Sequence, residues 1–200
     1  MMKRLIIASN NQGKIREFKR MIGSYFDEVL SLKDAGIKAD VVEDGTTFYE
    51  NARKKALEIS LLTDAYVMSD DSGLSVDCLD GAPGVYSARF SGEGATDEKN
   101  NALLIEKVSA FPEDKRTARY ICDLVLAKEG KELLHCEGKC EGVIILEPRG
   151  ENGFGYDPYF FYPPLNKTFA EIDMDLKNTL SHRGLALIEL EKMIGEAIDG

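Results

Sequence analysis

The chain has 200 residues, 44% of them hydrophobic, which is enough to bury one good core, so a single compact domain spanning residues 1–200 is expected. Its 35 acidic residues outnumber 25 basic ones for a net charge of -10, so it repels a polyanion; a nucleic-acid polymer is excluded as a partner, and a mononucleotide stays open where positive charge gathers locally. Apolar stretches such as Gly142-Val143-Ile144-Ile145-Leu146 are far short of a membrane span, and Met1 to Leu5 lead into a strand rather than a signal sequence, so no membrane partner and a cytoplasmic location are expected.

Arg4 to Ala8 form a short apolar run ended by the polar loop Ser9-Asn10-Asn11-Gln12-Gly13-Lys14. Ile15, Phe18, Met21 and Ile22 then recur at helical spacing, giving strand, loop, helix. A second helix opens at Thr47, whose hydroxyl can cap the chain while Glu50 reaches back, and it runs through Ala52, Ala56, Leu57 and Ile59. Ala65 to Met68 form a short strand that delivers Ser69-Asp70-Asp71-Ser72-Gly73. From Thr117 to Leu126 apolar and other residues alternate, and Glu129-Gly130-Lys131 turns the chain into Glu132 to Glu137, a β-hairpin continued by a strand near Val143 to Leu146. Leu185, Ile188, Leu190 or Glu191, and Ile194 mark the apolar face of a last helix. Helices alternating with strands early and hairpins later imply an α/β fold, a mixed sheet flanked by helices.

Four cysteines, Cys78, Cys122, Cys136 and Cys140, lack any C-x2-C pair and read as small core or surface thiols. Only His135 and His182 are present, so a His-rich metal centre is excluded and any metal must be held mainly by carboxylates, which suits magnesium or manganese.

Four stretches carry candidate chemistry. The loop Ser9 to Lys14 has the strand–loop–helix setting that presents backbone N–H groups to phosphate, with Lys14 adding a cation; it is not a Walker A loop, and an ordinary β–α connection explains it equally. Asp70 and Asp71 are adjacent carboxylates that repel unless a cation or hydrogen bonds compensate, and strand alternation turns one toward a cleft and the other toward the loop; a solvated turn with two capping acids is the competing account. Gly153-Phe154-Gly155-Tyr156-Asp157-Pro158 either offers a ring to a base, worth ~1–3 kcal/mol, or simply buries Phe154 and Tyr156. Ser181 caps the last helix, while His182, Arg183 and the preceding Lys177 are donors suited to purine carbonyl oxygens. Glu43 and Asp44, with Glu50, Asn51, Lys54 and Lys55, read first as solvated surface.

Together these pieces resemble the inosine triphosphate pyrophosphatase family, the non-canonical purine nucleoside triphosphatases (dITP/XTP pyrophosphatases). The resemblance spans nearly the whole chain through six ordered motifs: Ser9 to Lys14, Thr47-Phe48-Tyr49-Glu50-Asn51-Ala52, Ser69 to Asp77, Gly81 to Arg89, Phe154 to Pro158 and Ser181-His182-Arg183-Gly184. It implies an elongated mixed sheet with two lobes around a central cleft, a homodimer, and Mg2+ as cofactor with Mn2+ as substitute. By position it implies that Ser9, Asn10, Asn11, Gln12, Gly13 and Lys14 bind the triphosphate, that Lys55 adds a phosphate contact, and that Ser72 touches the substrate. Phe154, Gly155, Tyr156, Asp157, Lys177, His182 and Arg183 would form the base pocket. Asp71 would bind the metal and accept a proton. The family's second acidic ligand aligns near Val42, so Glu43 stands in for it.

The implied reaction is attack of water on the α-phosphorus with pyrophosphate leaving, with Lys14 offsetting charge and Asp71, or its competitor Asp70, deprotonating the water. His182, Arg183 and Lys177 as donors imply a preference for 6-oxo purines over ATP. Two rivals remain: a regulatory module that senses a triphosphate without cleaving it, which gains little from clustered carboxylates, and a phosphomonoesterase, which would need a nucleophilic D-x-D that Asp70-Asp71-Ser72 does not supply.

Overall fold

The first helix begins where Asn11 ends the loop after the first strand. The computed structural model describes residues 2–9 and 11–199, residue 199 by its backbone, and gives β1 (Arg4–Ile7) followed by α1 (Gln12–Ile22). The Asn11 side-chain oxygen accepts from the N–H groups of Gly13 and Lys14, and the stripe Ile15, Phe18 and Ile22 is buried, as their spacing requires. α2 (Phe48–Ser60) opens on the capping box read from the sequence: the Thr47 hydroxyl accepts from the Glu50 N–H at 3.1 Å, and Glu50 accepts from the Thr47 N–H at 3.2 Å. α3 (Asp97–Val108) is absent from the elements read along the chain, although Thr96 followed by Asp97 and Glu98 is itself a start signal.

β2 (Glu28–Ser31), β3 (Tyr66–Val76), β4 (Thr117–Lys128), β5 (Lys131–Ile144), β6 (Phe160–Tyr162) and β7 (Lys167–Thr168) join β1 in a seven-stranded sheet of order β2-β1-β3-β4-β5-β6-β7. β1 lies parallel to β2 and β3, with Leu5 beside Val29 and Tyr66, whereas β6 is antiparallel to β5 and β7, so the sheet is mixed as expected. Glu129 and Gly130, with φ of 53° and 71°, make the two-residue turn between β4 and β5. The strand expected to stop at Glu137 and resume near Val143 is one strand. Cys136, Gly138, Cys140, Gly142 and Ile144 keep facing inward while Lys139 and Glu141 face out, so the alternation never breaks.

The chain sorts into two compact units. The first comprises Met1–Asp71, Cys122–Gly138 and Leu185–Gly200; the second comprises Ser72–Ile121 and Lys139–Gly184. In the first, strand alternation separates two apolar layers. Leu5, Ile7, Met68, Cys122, Leu124 and Leu126 pack with Phe18 and Ile22 of α1 and with Leu187, Leu190 and Ile194 of the last helix. Ile6 and Val67 pack instead with Ile59, and Val125 and Ala127 with Ala52 and Ala56 of α2. The second unit is built on Leu74, Val76, Ala118, Tyr120, Leu104 and the rings of Phe160 and Phe169.

The chain ends with α4 (Met174–Leu180) and α5 (His182–Asp199). The buried face of α5 is Ala186, Leu187, Leu190, Ile194 and Ile198: Leu190 and Ile194 are buried as expected, whereas Leu185 and Ile188 are only half-buried and Ala186 and Leu187 take the interior positions beside them. All four cysteines are free thiols; burial pushes Cys136 up to about 11 and Cys140 up to about 12, so both are protonated core residues as read from the sequence. Among the described residues no helix is long and apolar enough to cross a membrane.

Two substitutions test this packing. A methyl at Gly142 would meet the Phe160 ring at 2.5 Å and the Phe161 carbonyl oxygen at 2.6 Å, so Gly142→Ala is expected to destabilise by about 1–3 kcal/mol, read from urea unfolding. Thr47→Ala, which removes a cap and leaves the core intact, is expected to cost about 0.5–2 kcal/mol and a few degrees of Tm. A wild-type midpoint for either variant would refute the corresponding contact.

Candidate active site

In the first unit, β3 presents Ser69, Asp70 and Asp71 from within the strand. The expectation that the two acids follow a strand that ends at Met68 is corrected: the strand continues to Val76, because Leu74 and Val76 are themselves buried and carry its alternation onward. Ser69 and Asp71 turn toward α2 and Asp70 toward α1. The Ser69 hydroxyl donates to the Ala52 carbonyl, and Asp71 Oδ2 accepts from the Asn51 amide at 2.9 Å. Asp70, 3% exposed, takes the Lys14 ammonium at 2.6 Å. The like charges of neighbouring carboxylates are thus held by different helices, one by a cation and one by an amide.

Asn51 was not among the residues read as functional, yet it is buried and fixed on both sides. Its oxygen accepts the Gly45 N–H at 2.8 Å, which leaves the amide nitrogen to donate to Asp71. A methyl at Gly45 would stand 2.7 Å from that oxygen, so Gly45 is where the chain must pass close to α2. Lys55 forms an ion pair with Glu43, and its Nζ donates to the Asp70 carbonyl at 3.1 Å. Glu43 is therefore linked to the acidic strand through Lys55. Asp44 pairs with Lys54 at 2.7 Å.

Three backbone donors of the first loop are used internally. Ser9 Oγ accepts the Asn11 N–H at 3.0 Å, and Asn11 caps Gly13 and Lys14, both of which, with Gln12, lie in the first turn of α1. Asn10 lies outside the described residues. Among the described residues no three His, Cys, Asp or Glu side chains gather as a metal cage. Asp71 and Glu43 are oxygen donors, which suits Mg2+: that ion keeps several waters and is commonly held by one or two carboxylates together with substrate phosphates.

The second unit organises the aromatic loop. Gly153 and Gly155 adopt φ of 79° and 60°, and a side chain on Gly153 would collide with the Asp157 carboxylate. Asp97, at the start of α3, accepts the Gly155 N–H at 2.7 Å, while Asn101 donates to the Gly155 carbonyl at 2.8 Å, so α3 pins this residue from both sides. The two aromatic residues part company. Tyr156 is buried, with its hydroxyl on the Ser87 carbonyl at 2.6 Å and its ionisation pushed up by burial, whereas Phe154 is 63% exposed.

Asp157 is 2% exposed and gathers the Lys177 ammonium, the Phe154 N–H at 2.9 Å and the Tyr120 hydroxyl at 3.3 Å. Lys177, in α4, is buried with its Nζ 5.0 Å from the Phe154 centroid and 5.4 Å from that of Phe169, a cation between two rings. The Ser181 hydroxyl accepts the Gly184 N–H at 3.2 Å and so caps α5 as read. A side chain at Gly184 would strike the Asn178 carbonyl, so glycine sets how tightly α5 follows α4. His182 stacks on Tyr120, and Arg183 reaches the Ser72 hydroxyl at 3.4 Å. Asp77, at the far end of β3, belongs to a separate pair: Arg119 and then Thr117 hold its carboxyl below the usual range.

The chain matches the model of the Ham1 family over residues 5–193. A dITP/XTP pyrophosphatase of Exiguobacterium sp. is 52% identical over 191 residues, covering 96% of each chain. Another dITP/XTP pyrophosphatase, from Exiguobacterium sibiricum, is 50% identical over 188 residues, 94% of this chain and 95% of its own. A solved Ham1 protein from Coxiella burnetii superposes with a TM-score of 0.90 at 37% identity, covering 98% of this chain and all of its own. The Ham1 protein of Staphylococcus aureus gives 0.89 at 38% identity over 97% and 99%. These matches extend over the same span as the six ordered motifs and bear out the resemblance drawn from them: the chain belongs to the Ham1 family.

Proposed function

We propose that this chain is a nucleoside-triphosphate pyrophosphatase that converts dITP, ITP and XTP to the monophosphate and pyrophosphate in a Mg2+-dependent reaction, with Mn2+ as a substitute. Relatives about half identical over nearly the full chain are named dITP/XTP pyrophosphatases, which supports the reaction and the purine class. The observation that carries the mechanism is the division of labour between Asp70, ion-paired to Lys14, and Asp71, hydrogen-bonded to the neutral Asn51 amide.

In this reading Asp71 orients a water and takes its proton as the oxygen attacks the α-phosphorus, and the bond to the bridging oxygen breaks to release pyrophosphate. Asn51, fixed by Gly45, holds the Asp71 carboxylate in one orientation. Lys14 and Lys55 supply cations for the phosphate oxygens. Asp71 and Glu43 are the oxygens that would hold Mg2+, and the ion, when bound, would offset the negative charge of the triphosphate. For the base, Lys177, His182 and Arg183 donate toward a 6-oxo group and the exposed Phe154 ring offers a stacking face; adenine would place an amino group against those donors. Removal of deaminated purine nucleotides from the pool, in the cytoplasm and as a homodimer, is the corresponding cellular role.

Incubation with inosine triphosphate, with and without Mg2+ and with ATP as control, tests the reading by product analysis. Inosine monophosphate plus pyrophosphate, dependent on Mg2+ and with ATP spared, is expected. Orthophosphate would make the protein a phosphatase, and tight binding without product would make it a sensor. Asp71→Asn is expected to lower kcat by about 10²–10⁴-fold with an unchanged melting temperature. Full turnover in that variant, with loss in Asp70→Asn, would move the base to Asp70.

A further inference from the structure

Tyr120 belongs to none of the six motifs, yet its side chain meets two groups assigned to base selection. It lies buried on β4, and its hydroxyl donates to Asp157 Oδ1 at 3.3 Å. Its ring stacks on the His182 imidazole, with centroids 4.9 Å apart and 14° between planes. Asp157 Oδ2 in turn takes Lys177 and the Phe154 N–H. A single phenol thus braces the carboxylate that holds Lys177 and the ring that opens α5.

We infer that Tyr120 is a positioning residue for purine selection: its hydroxyl locks the Asp157 carboxylate and so places the Lys177 ammonium, while its ring sets the plane of His182. The inference rests on the proposed pyrophosphatase reading. A buried carboxylate keeps one orientation when its lone pairs are taken by fixed donors, and Tyr120 is the donor on the Oδ1 side. Without that bond the carboxylate can swing, and Lys177 follows it. The loss falls on substrates that accept from Lys177. It spares adenine, whose amino group takes nothing from that donor. Because the base is remote from the reacting phosphorus, the effect enters through KM and leaves kcat in place.

Tyr120→Phe keeps the ring and removes the hydroxyl. The expected result is a roughly tenfold rise in KM for inosine triphosphate, the size of one lost hydrogen bond, with kcat within about twofold and little change for ATP. In a Lys177→Met background the same substitution is expected to add nothing to the change in inosine-to-adenosine preference, which a merely structural role would not predict. Wild-type protein without inosine triphosphate hydrolysis would overturn the pyrophosphatase reading itself. An active wild type whose 6-oxo preference survives Tyr120→Phe would overturn only the role of Tyr120. So would a variant that melts well below wild type and loses kcat for both nucleotides alike, since Tyr120 would then be core packing.

Discussion

Two carboxylates on neighbouring residues repel each other, and the first unit depends on how β3 resolves that repulsion. The two-residue period of a strand sends Asp70 and Asp71 to opposite sides, where one meets the ammonium of α1 and the other an amide of α2. Much of the surrounding architecture follows from those partners. Asn11 starts α1 so that Lys14 falls in its first turn, and the Thr47 capping box starts α2 so that Asn51 and Lys55 lie along the same strand. The cap therefore also sets where Asn51 meets Asp71, because a shift of the helix start would carry Asn51 away from that carboxylate.

The second unit solves the complementary problem of burying a cation. Lys177 loses water on entering the protein, and Asp157 with two aromatic faces replaces it. Asp157 is in turn surrounded by donors, so neither charge is left to the apolar core alone. Glycine at 153, 155 and 184 is the geometric condition for this arrangement: the first two supply backbone conformations open to few other residues, and the third leaves room for the Asn178 carbonyl.

Contacts local in the chain were legible in the sequence. The capping box at Thr47, the α1 stripe, the β4–β5 turn and the Ser181 cap each depend on residues within about four positions of one another, so spacing alone reveals them. The motifs that carry the family resemblance were legible for the same reason. What escaped depends on long-range pairing. β3 looks finished at Met68 because Ser69 to Gly73 are polar, and only the burial of Leu74 and Val76 shows that it continues. Asn51 reads as a surface amide until Asp71, twenty residues later, is placed beside it. Tyr120 reads as one more residue in an alternating strand, and nothing nearby in the sequence announces Asp157 or His182. On α5 only the start of the stripe differs, falling on Ala186 and Leu187, because alanine carries a weak apolar signal yet packs fully.

The burial of Lys177 also alters what reagents can do to it. Acylation of a lysine requires room for the electrophile around the amine, and Lys177, buried against the Asp157 carboxylate and the Phe154 ring, offers little. Lys115 and Lys192, whose side chains are more than half exposed, stay open to such reagents. Position 177 should therefore be a silent point in a lysine-labelling map of the folded protein.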